Sequence, residues 1–287
     1  MFTRRCSERR FFLRPDKATN NAFWYCLGWA AETHGILLHA AVAMSNHVHV
    51  VATDPLGTYP NFLRDFHGLL ARVVNAARGR WEHFWDANQA SAVLLEDAEA
   101  QTDKLTYVLT NPVGLVTEAV HWPGATALPS IISGKPLVAR RPAHFFRDEK
   151  QGGTMPETIS VSFKPLPTFA EGTSDDYVRM LRGRIADVEH GAAHRRLAGR
   201  TTVLGARNIR RQRWSERPDT PEPRRGLSPA VASRDKWLRL ERLKANRLFQ
   251  SLYRAAFKTF RLGAAALFPF GTWLMRFRAA IQVDNTA

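Results

Sequence analysis

The stretch from Ile36 to Thr53 constrains the fold more than any other part of the chain. Ile36 to Met44 is almost wholly apolar, Ser45-Asn46 is a turn signal, and His47 to Thr53 reads as a second strand, so the pair predicts a β-hairpin. Side chains alternate across a strand, which sends His47 and His49 to one face and Val48 and Val50 to the other, towards a core. Helical spacing flanks the hairpin on both sides. Phe23, Cys26, Leu27, Ala30 and Ala31 recur at that spacing between Lys17 and Thr33, with Gly35 where a left-handed residue ends a helix. Phe62, Phe66, Leu69, Leu70, Val73 and Val74 share a face between Pro60 and Ala77. Phe2 to Cys6, with Phe11 to Leu13 as a second candidate, suits a first strand. Ser91 to Leu95 suits a last one, and Glu96 to Thr110 a further helix that stops at Asn111-Pro112. This β-α-β-β-α-β order predicts an α+β fold over residues 1–125, a ferredoxin-like split-βαβ antiparallel sheet with covering helices.

The rest of the chain has a different texture, that of a basic, mainly helical C-terminal extension. Residues 126–216 read as a mixed segment: Pro129 to Thr154 as basic loop, Ile159 to Phe163 as a strand, and Thr173 to Leu197 as a helix. Tyr177, Met180, Leu181, Ile185 and Val188 share one face of that helix. Residues 217–228, rich in proline and arginine, read as a linker. Residues 229–287 form a helical segment whose stripe of Leu240, Leu243, Phe249, Leu252, Tyr253, Ala256, Phe257 and Phe260 is expected to be core or inter-helix packing.

Composition narrows the class of function. In 287 residues, 41 Lys and Arg face 26 Asp and Glu, a net charge of +15 that points to a polyanionic partner, nucleic acid before a membrane surface. A hydrophobic share of 45% excludes disorder throughout. Cys6 and Cys26 are the only cysteines, which excludes a disulfide scaffold and an all-cysteine zinc site and suits a reducing cytoplasm. The first residues lack the apolar stretch of a signal peptide. Leu262 to Met275 is too short to span a bilayer and is broken by Pro269 and Gly271, so no membrane partner is expected. A Walker phosphate loop, His-Glu-x-x-His and Gly-x-Ser-x-Gly are all missing.

Two local features carry chemistry. In Ser45-Asn-His-Val-His-Val-Val51, two imidazoles on same-face strand positions lie close enough to share one divalent ion. In Asp103-Lys-Leu-Thr-Tyr-Val-Leu-Thr-Asn-Pro-Val113, helical spacing puts Asp103, Lys104, Tyr107 and Asn111 on one polar ridge. A tyrosine hydroxyl becomes a nucleophile only with help, which Lys104 and a metal-polarised phosphate could supply, and Asn111 could add a carbonyl oxygen as a third ligand. The same residues also read as half-buried histidines without a site, a boundary tyrosine with its hydroxyl in water, and an Asn-Pro that merely ends a helix.

Together, Met44-Ser-Asn-His-Val-His-Val-Val and, later, Tyr107-Val-Leu-Thr-Asn-Pro-Val resemble the HUH single-strand DNA transposases of the IS200 type, and most of all their bacterial REP-associated tyrosine transposase branch. The resemblance covers residues 1–125. It implies a metal-dependent endonuclease and strand transferase acting on hairpin-bearing single-stranded DNA, in the bacterial cytoplasm at the nucleoid, with a homodimer as one arrangement. By that resemblance Tyr107 is the nucleophile, while His47 and His49 hold Mg²⁺ or Mn²⁺. Asn111 stands where insertion-sequence relatives commonly carry a glutamine. Gly114-Leu115-Val116 follows Asn-Pro-Val directly, where relatives often have an Arg-Ala first, so a basic contact is missing there. A DNA-binding protein that keeps the fold without the chemistry, and a metal hydrolase that uses the His pair on water, are the competing readings.

Unpaired DNA is held by aromatics that stack on bases and cations that pair with phosphates. Arg78, Arg80, Trp81, His83, Phe84 and Trp85 supply that mixture after the second helix, unless the tryptophans cover the core. Arg4, Arg5, Arg9 and Arg10 could track phosphates. Arg207, Arg210, Arg211 and Arg213, beside Trp214, form the densest basic cluster and suit a DNA clamp. Asp175 and Asp176 have no partners at metal spacing and receive no role.

Overall fold

A computed structural model describes the chain except for residues 89, 148, 170–171, 222–228, 273–274, 277–278 and 285–287. Most of the expected linker therefore lies outside the described residues. The central element is a four-stranded antiparallel sheet of β1 (Phe2–Arg5), β2 (Leu37–Ala43), β3 (His47–Thr53) and β4 (Ser91–Ala92), in the order β2-β3-β1-β4. Helix α1 (Lys17–His34) joins β1 to β2, and α2 (Tyr59–Ala77) joins β3 to β4. Asp16 caps α1 by accepting from the Thr19 N–H, and Gly35 ends it in the left-handed conformation at φ 65°, which a residue without Cβ adopts without strain. The two helices pack against each other.

Helix α3 (Ala98–Thr110) lies against β2 and β3, capped by Asp97, which accepts from the Ala100 N–H. Its inward face, Leu105, Val108 and Leu109, is fully buried. The expected strand Ser91–Leu95 is divided. Ser91–Ala92 belongs to the main sheet, Val93 turns inward, and β5 (Leu94–Leu95) leaves the sheet to pair in parallel with a distant segment, Val231–Ala232. Phe11 to Leu13 forms no strand; all three side chains are buried beside the hairpin turn.

The stretch expected as loop from Pro129 to Thr154 holds a short helix, α4 (Leu128–Ser133), and a strand, β6 (Leu137–Arg140), paired with β7 (Thr158–Val161). This second ribbon packs on α1, with Gly28 at the contact: a Cβ there would stand 2.5 Å from Ile159 Cγ2. The expected strand Ile159 to Phe163 corresponds to β7, shifted to Thr158–Val161, whereas its partner β6, only four residues long, falls in the stretch expected as loop. Helix α5 (Ser174–Gly199) packs on α3 and buries Tyr177, Leu181 and Ile185, and α6 (Gly205–Arg211) buries Ile209. Both join the same hydrophobic core as the sheet.

After β8 (Val231–Ala232), helix α7 (Lys236–Arg261) leads to β9 (Leu267–Phe268) and β10 (Gln282–Val283). The expectation that its apolar stripe is core packing is corrected. Only Ala256 of that stripe is buried, Leu240 and Leu252 are exposed, Tyr253 stacks with Phe249 and with Phe257, and Tyr253 and Phe260 meet Phe268 edge-on. Among the described elements, α7 packs mainly on the two-residue strands β8 and β9, which cover its apolar stripe only in part. Both cysteines are buried, and burial pushes each thiol well above the usual range. No helix among the described residues is long and apolar enough to cross a membrane.

Candidate active site

The sheet register builds one side of the site. Thr3 pairs with His49 and Arg5 with His47 on neighbouring strands, so four polar side chains occupy one face while Val48 and Val50 enter the core. The two imidazole rings stand 4.8 Å apart, centre to centre, at 85°. His47 Nδ1 is 2.7 Å from Asn46 Oδ1, and His49 Nδ1 is 2.8 Å from Thr3 Oγ1. An amide oxygen only accepts, so His47 Nδ1 donates to it, whereas the Thr3 hydroxyl can give or take the hydrogen bond with His49; either contact engages Nδ1 and turns the Nε2 edge of the ring the other way. His49 is 5% exposed and its Nε2 meets no hydrogen-bond partner. Burial, reinforced by His47 and Lys104, lowers its pKa to about 3, so this imidazole is neutral across the physiological range.

Helix α3 supplies the other side. Tyr107 is 46% exposed, the outward residue of a helix whose adjacent turns are buried, and its ring lies 5.4 Å from that of His49, edge to face. Lys104, one turn earlier, sets its ammonium 5.6 Å from the centre of the Tyr107 ring and makes no ion pair among the described residues. Asn111, one turn later, lines the same cleft. This cleft, of about 580 Å³, runs from Arg4, Arg5 and Arg9 past the histidines to Tyr107, with Asp86, Asn88 and Ser91 on its rim. Among the described residues no group of three His, Cys, Asp or Glu could hold a metal, so a cation here would have two imidazole nitrogens and would take its remaining ligands from the Asn111 amide, substrate or water. The orphaned Nε2 of His49, held by a bond to its other nitrogen, is the donor arrangement such an ion needs.

The expected polar ridge is divided between two tasks. Asp103 turns away from the cleft, where it accepts from Arg234 at 2.7 Å and from Arg184 at 3.2 Å. Arg234 also meets Glu99 at 2.9 Å and gives its backbone N–H to Asp97. Lys104, Tyr107 and Asn111 remain on the side of the site.

The expected binding residues separate by exposure. Arg78 has a side chain only 8% exposed; it donates to Thr19 Oγ1 at 3.1 Å and lies 3.7 Å from Asp16, with its pKa pushed down to about 10 by burial. Trp85 is buried and donates from its indole nitrogen to the His67 carbonyl. Both work in packing. Trp81, by contrast, is 87% exposed, and Arg80 lies over the Phe12 ring at 3.7 Å and beside Trp214. Arg207, Arg210, Arg211 and Arg213 are all exposed, on α6 and just beyond it, outside the cleft lining. Arg10 is engaged by Glu8 at 2.8 Å. Sequence reasoning missed Thr3 and Asn46, the residues that orient the two imidazoles. Thr3 could have been found as the one hydroxyl at the period of the first strand's outward face.

No family model and no curated protein matches the chain. Among solved structures, one described as a REP-associated tyrosine transposase bound to a REP hairpin is similar, with 16% identity and a TM-score of 0.38, covering 46% of this chain and 77% of that one. The chain itself is a mixed α/β protein with a four-stranded antiparallel sheet and seven helices among its described residues.

Proposed function

We propose that this chain is a metal-dependent single-strand DNA endonuclease and strand transferase of the HUH type, acting through a 5′-phosphotyrosine. The observation that carries the reading is the edge-to-face approach of Tyr107 to His49 across a cleft lined with arginines. The order β2-β3-β1-β4 with its two helical crossovers supports a split-βαβ sheet as the platform.

His47 and His49 would hold Mg²⁺ or Mn²⁺, with Asn111 as an added oxygen ligand, and such an ion would supply positive charge to offset that of the scissile phosphate. The Tyr107 oxygen attacks phosphorus as the P–O3′ bond breaks. The tyrosine proton passes to solvent, and the departing oxygen takes up a proton as a free 3′-hydroxyl. Exposure of Tyr107 gives water access for that exchange, and Lys104 sets a positive charge against the ring while the phosphate approaches. The phosphotyrosine conserves the bond energy, so a 3′-hydroxyl can later rejoin the strand by the reverse step. Arg4, Arg5 and Arg9 in the cleft, and outside it the exposed Trp81, the half-buried Arg80 and the exposed cluster of Arg207, Arg210, Arg211 and Arg213, suit flexible, hairpin-bearing DNA.

The test is incubation with single-stranded oligonucleotides from the flanks of its own gene, in Mg²⁺ or Mn²⁺, followed by a denaturing gel. A covalent protein–DNA band is expected. Cleaved DNA with free ends alone would instead indicate hydrolysis by activated water.

A further inference from the structure

Tyr107 and Asn111 line a second groove, of about 380 Å³, that the site described above does not use. Its opposite bank is formed by Arg195 and Arg196 near the end of α5 and by Thr201 and Thr202 just after it. Two bonds hold this bank against the turn that follows α3: Arg196 Nη1 donates to the Val113 carbonyl at 3.2 Å, and the Gly205 N–H donates to the Leu115 carbonyl at 2.9 Å. Arg200 ends α5 in the left-handed conformation at φ 50°, which turns the chain so that the two threonines follow the arginines along the same groove. Arg195 is exposed and makes no ion pair among the described residues. The described lining contains no carboxylate, and the nearest acid on that part of the helix, Glu189, is engaged by the Ala119 N–H at 2.7 Å. Cations, hydroxyls and no negative charge among the described lining match the sugar-phosphate backbone of a nucleic acid.

The groove and the histidine cleft meet at the nucleophile, and the reaction dictates which strand lies where. Displacement at phosphorus puts the departing oxygen opposite the attacking one. The strand that leaves therefore lies on the histidine side, and only the strand that stays attached can run back past the tyrosine. We propose that the groove between α3 and the end of α5 binds the nucleotides 3′ of the cleaved bond, the single strand retained on Tyr107, through Arg195 and the Thr201-Thr202 hydroxyls. This rests on the phosphotyrosine reading for its polarity, but not for its prediction that the groove binds single-stranded backbone.

The experiment compares the full chain with Arg195→Glu and with Arg182→Glu, an equal charge reversal at an exposed position of the same helix, about 20 Å away by helical rise. The first probe is a fluorescent oligothymidylate of about 20 nucleotides without metal, so that chemistry plays no part. Arg195→Glu is expected to weaken binding about tenfold and to reduce the slope of log affinity against log salt by about one, and Arg182→Glu to do neither. Equal effects of the two reversals would overturn the proposal. The second probe is the covalent adduct digested from its 3′ end by an exonuclease. Digestion should stop at the same nucleotide in the unaltered chain and Arg182→Glu, and run closer to the tyrosine in Arg195→Glu; identical stops in all three would also overturn it. Loss of oligothymidylate binding in Arg195→Glu from a chain that forms no adduct would support the groove while removing the phosphotyrosine reading.

Discussion

Thr3 Oγ1 and His49 Nδ1 stand 2.8 Å apart at directly opposed positions of neighbouring strands. That contact decides which nitrogen of His49 faces the cleft. The ring is buried, so it cannot rotate freely to repair a lost partner, and its orientation depends on a hydroxyl delivered by the second residue of the first strand.

Thr3→Val keeps the β-branched shape while removing the hydroxyl that holds His49 Nδ1. Loss of such an orienting partner typically costs about 10- to 100-fold in metal affinity. Mn²⁺ titration followed by calorimetry should show a fall of that order for Thr3→Val and recovery in Thr3→Ser, with the circular dichroism spectrum unchanged. An unaltered Mn²⁺ affinity would remove His49 from the ligand set.

Tyr107→Phe removes one exposed oxygen and should change stability by less than about 0.5 kcal/mol, as surface substitutions away from special features do. Oligonucleotide binding should persist and the covalent band should vanish. A shifted band on this variant would move the nucleophile elsewhere.

Acid should destabilise the fold through buried neutral imidazoles. Burial lowers the pKa of both His49 and His67 to about 3, below the unfolded value of 6.5. Between those values the unfolded chain binds more protons, so this share of stability is complete above about pH 6.5 and is lost as pH falls towards 3. Thermal unfolding recorded from pH 7 to 4 should show Tm dropping with pH, and the drop should be shallower in His49→Gln and His67→Gln, whatever their stability at pH 7.

Gly28→Ala tests the packing of the β6–β7 ribbon on α1. The added methyl would meet Ile159 Cγ2 at 2.5 Å and Val161 Cγ2 at 2.7 Å. Overpacking of this kind costs about 1–3 kcal/mol, which should lower Tm measurably, while alanine's better helix propensity alone would raise it. A raised Tm would mean that β6 and β7 do not press on α1.

Much of the N-terminal half was legible because its signals are periodic. The apolar run before Ser45-Asn46 and the alternation after it placed both histidines on one face, and the spacing of Leu105, Val108 and Leu109 turned Tyr107 outward. The resemblance supplied the link between the two motifs, which lie on elements that periodicity alone does not bring together. What stayed hidden depends on contacts between distant residues. Asp103 looks like part of the polar ridge until Arg184 and Arg234 engage it, and Arg78 and Trp85 carry DNA-binding chemistry in their side chains but are turned inward by Thr19 and His67. The stripe on α7 has a core-like period, yet period reports only that one face is apolar, not that anything covers it.

Cys6 and Cys26 sit in the interior, with burial holding both thiols in their protonated form. The surface is thus free of native sulfur nucleophiles. One engineered cysteine, at Thr202 or beside the hairpin turn, would accept a maleimide dye or a nitroxide label without further editing of the chain. Distances from either bank of Tyr107 to a tagged oligonucleotide then become directly measurable in solution.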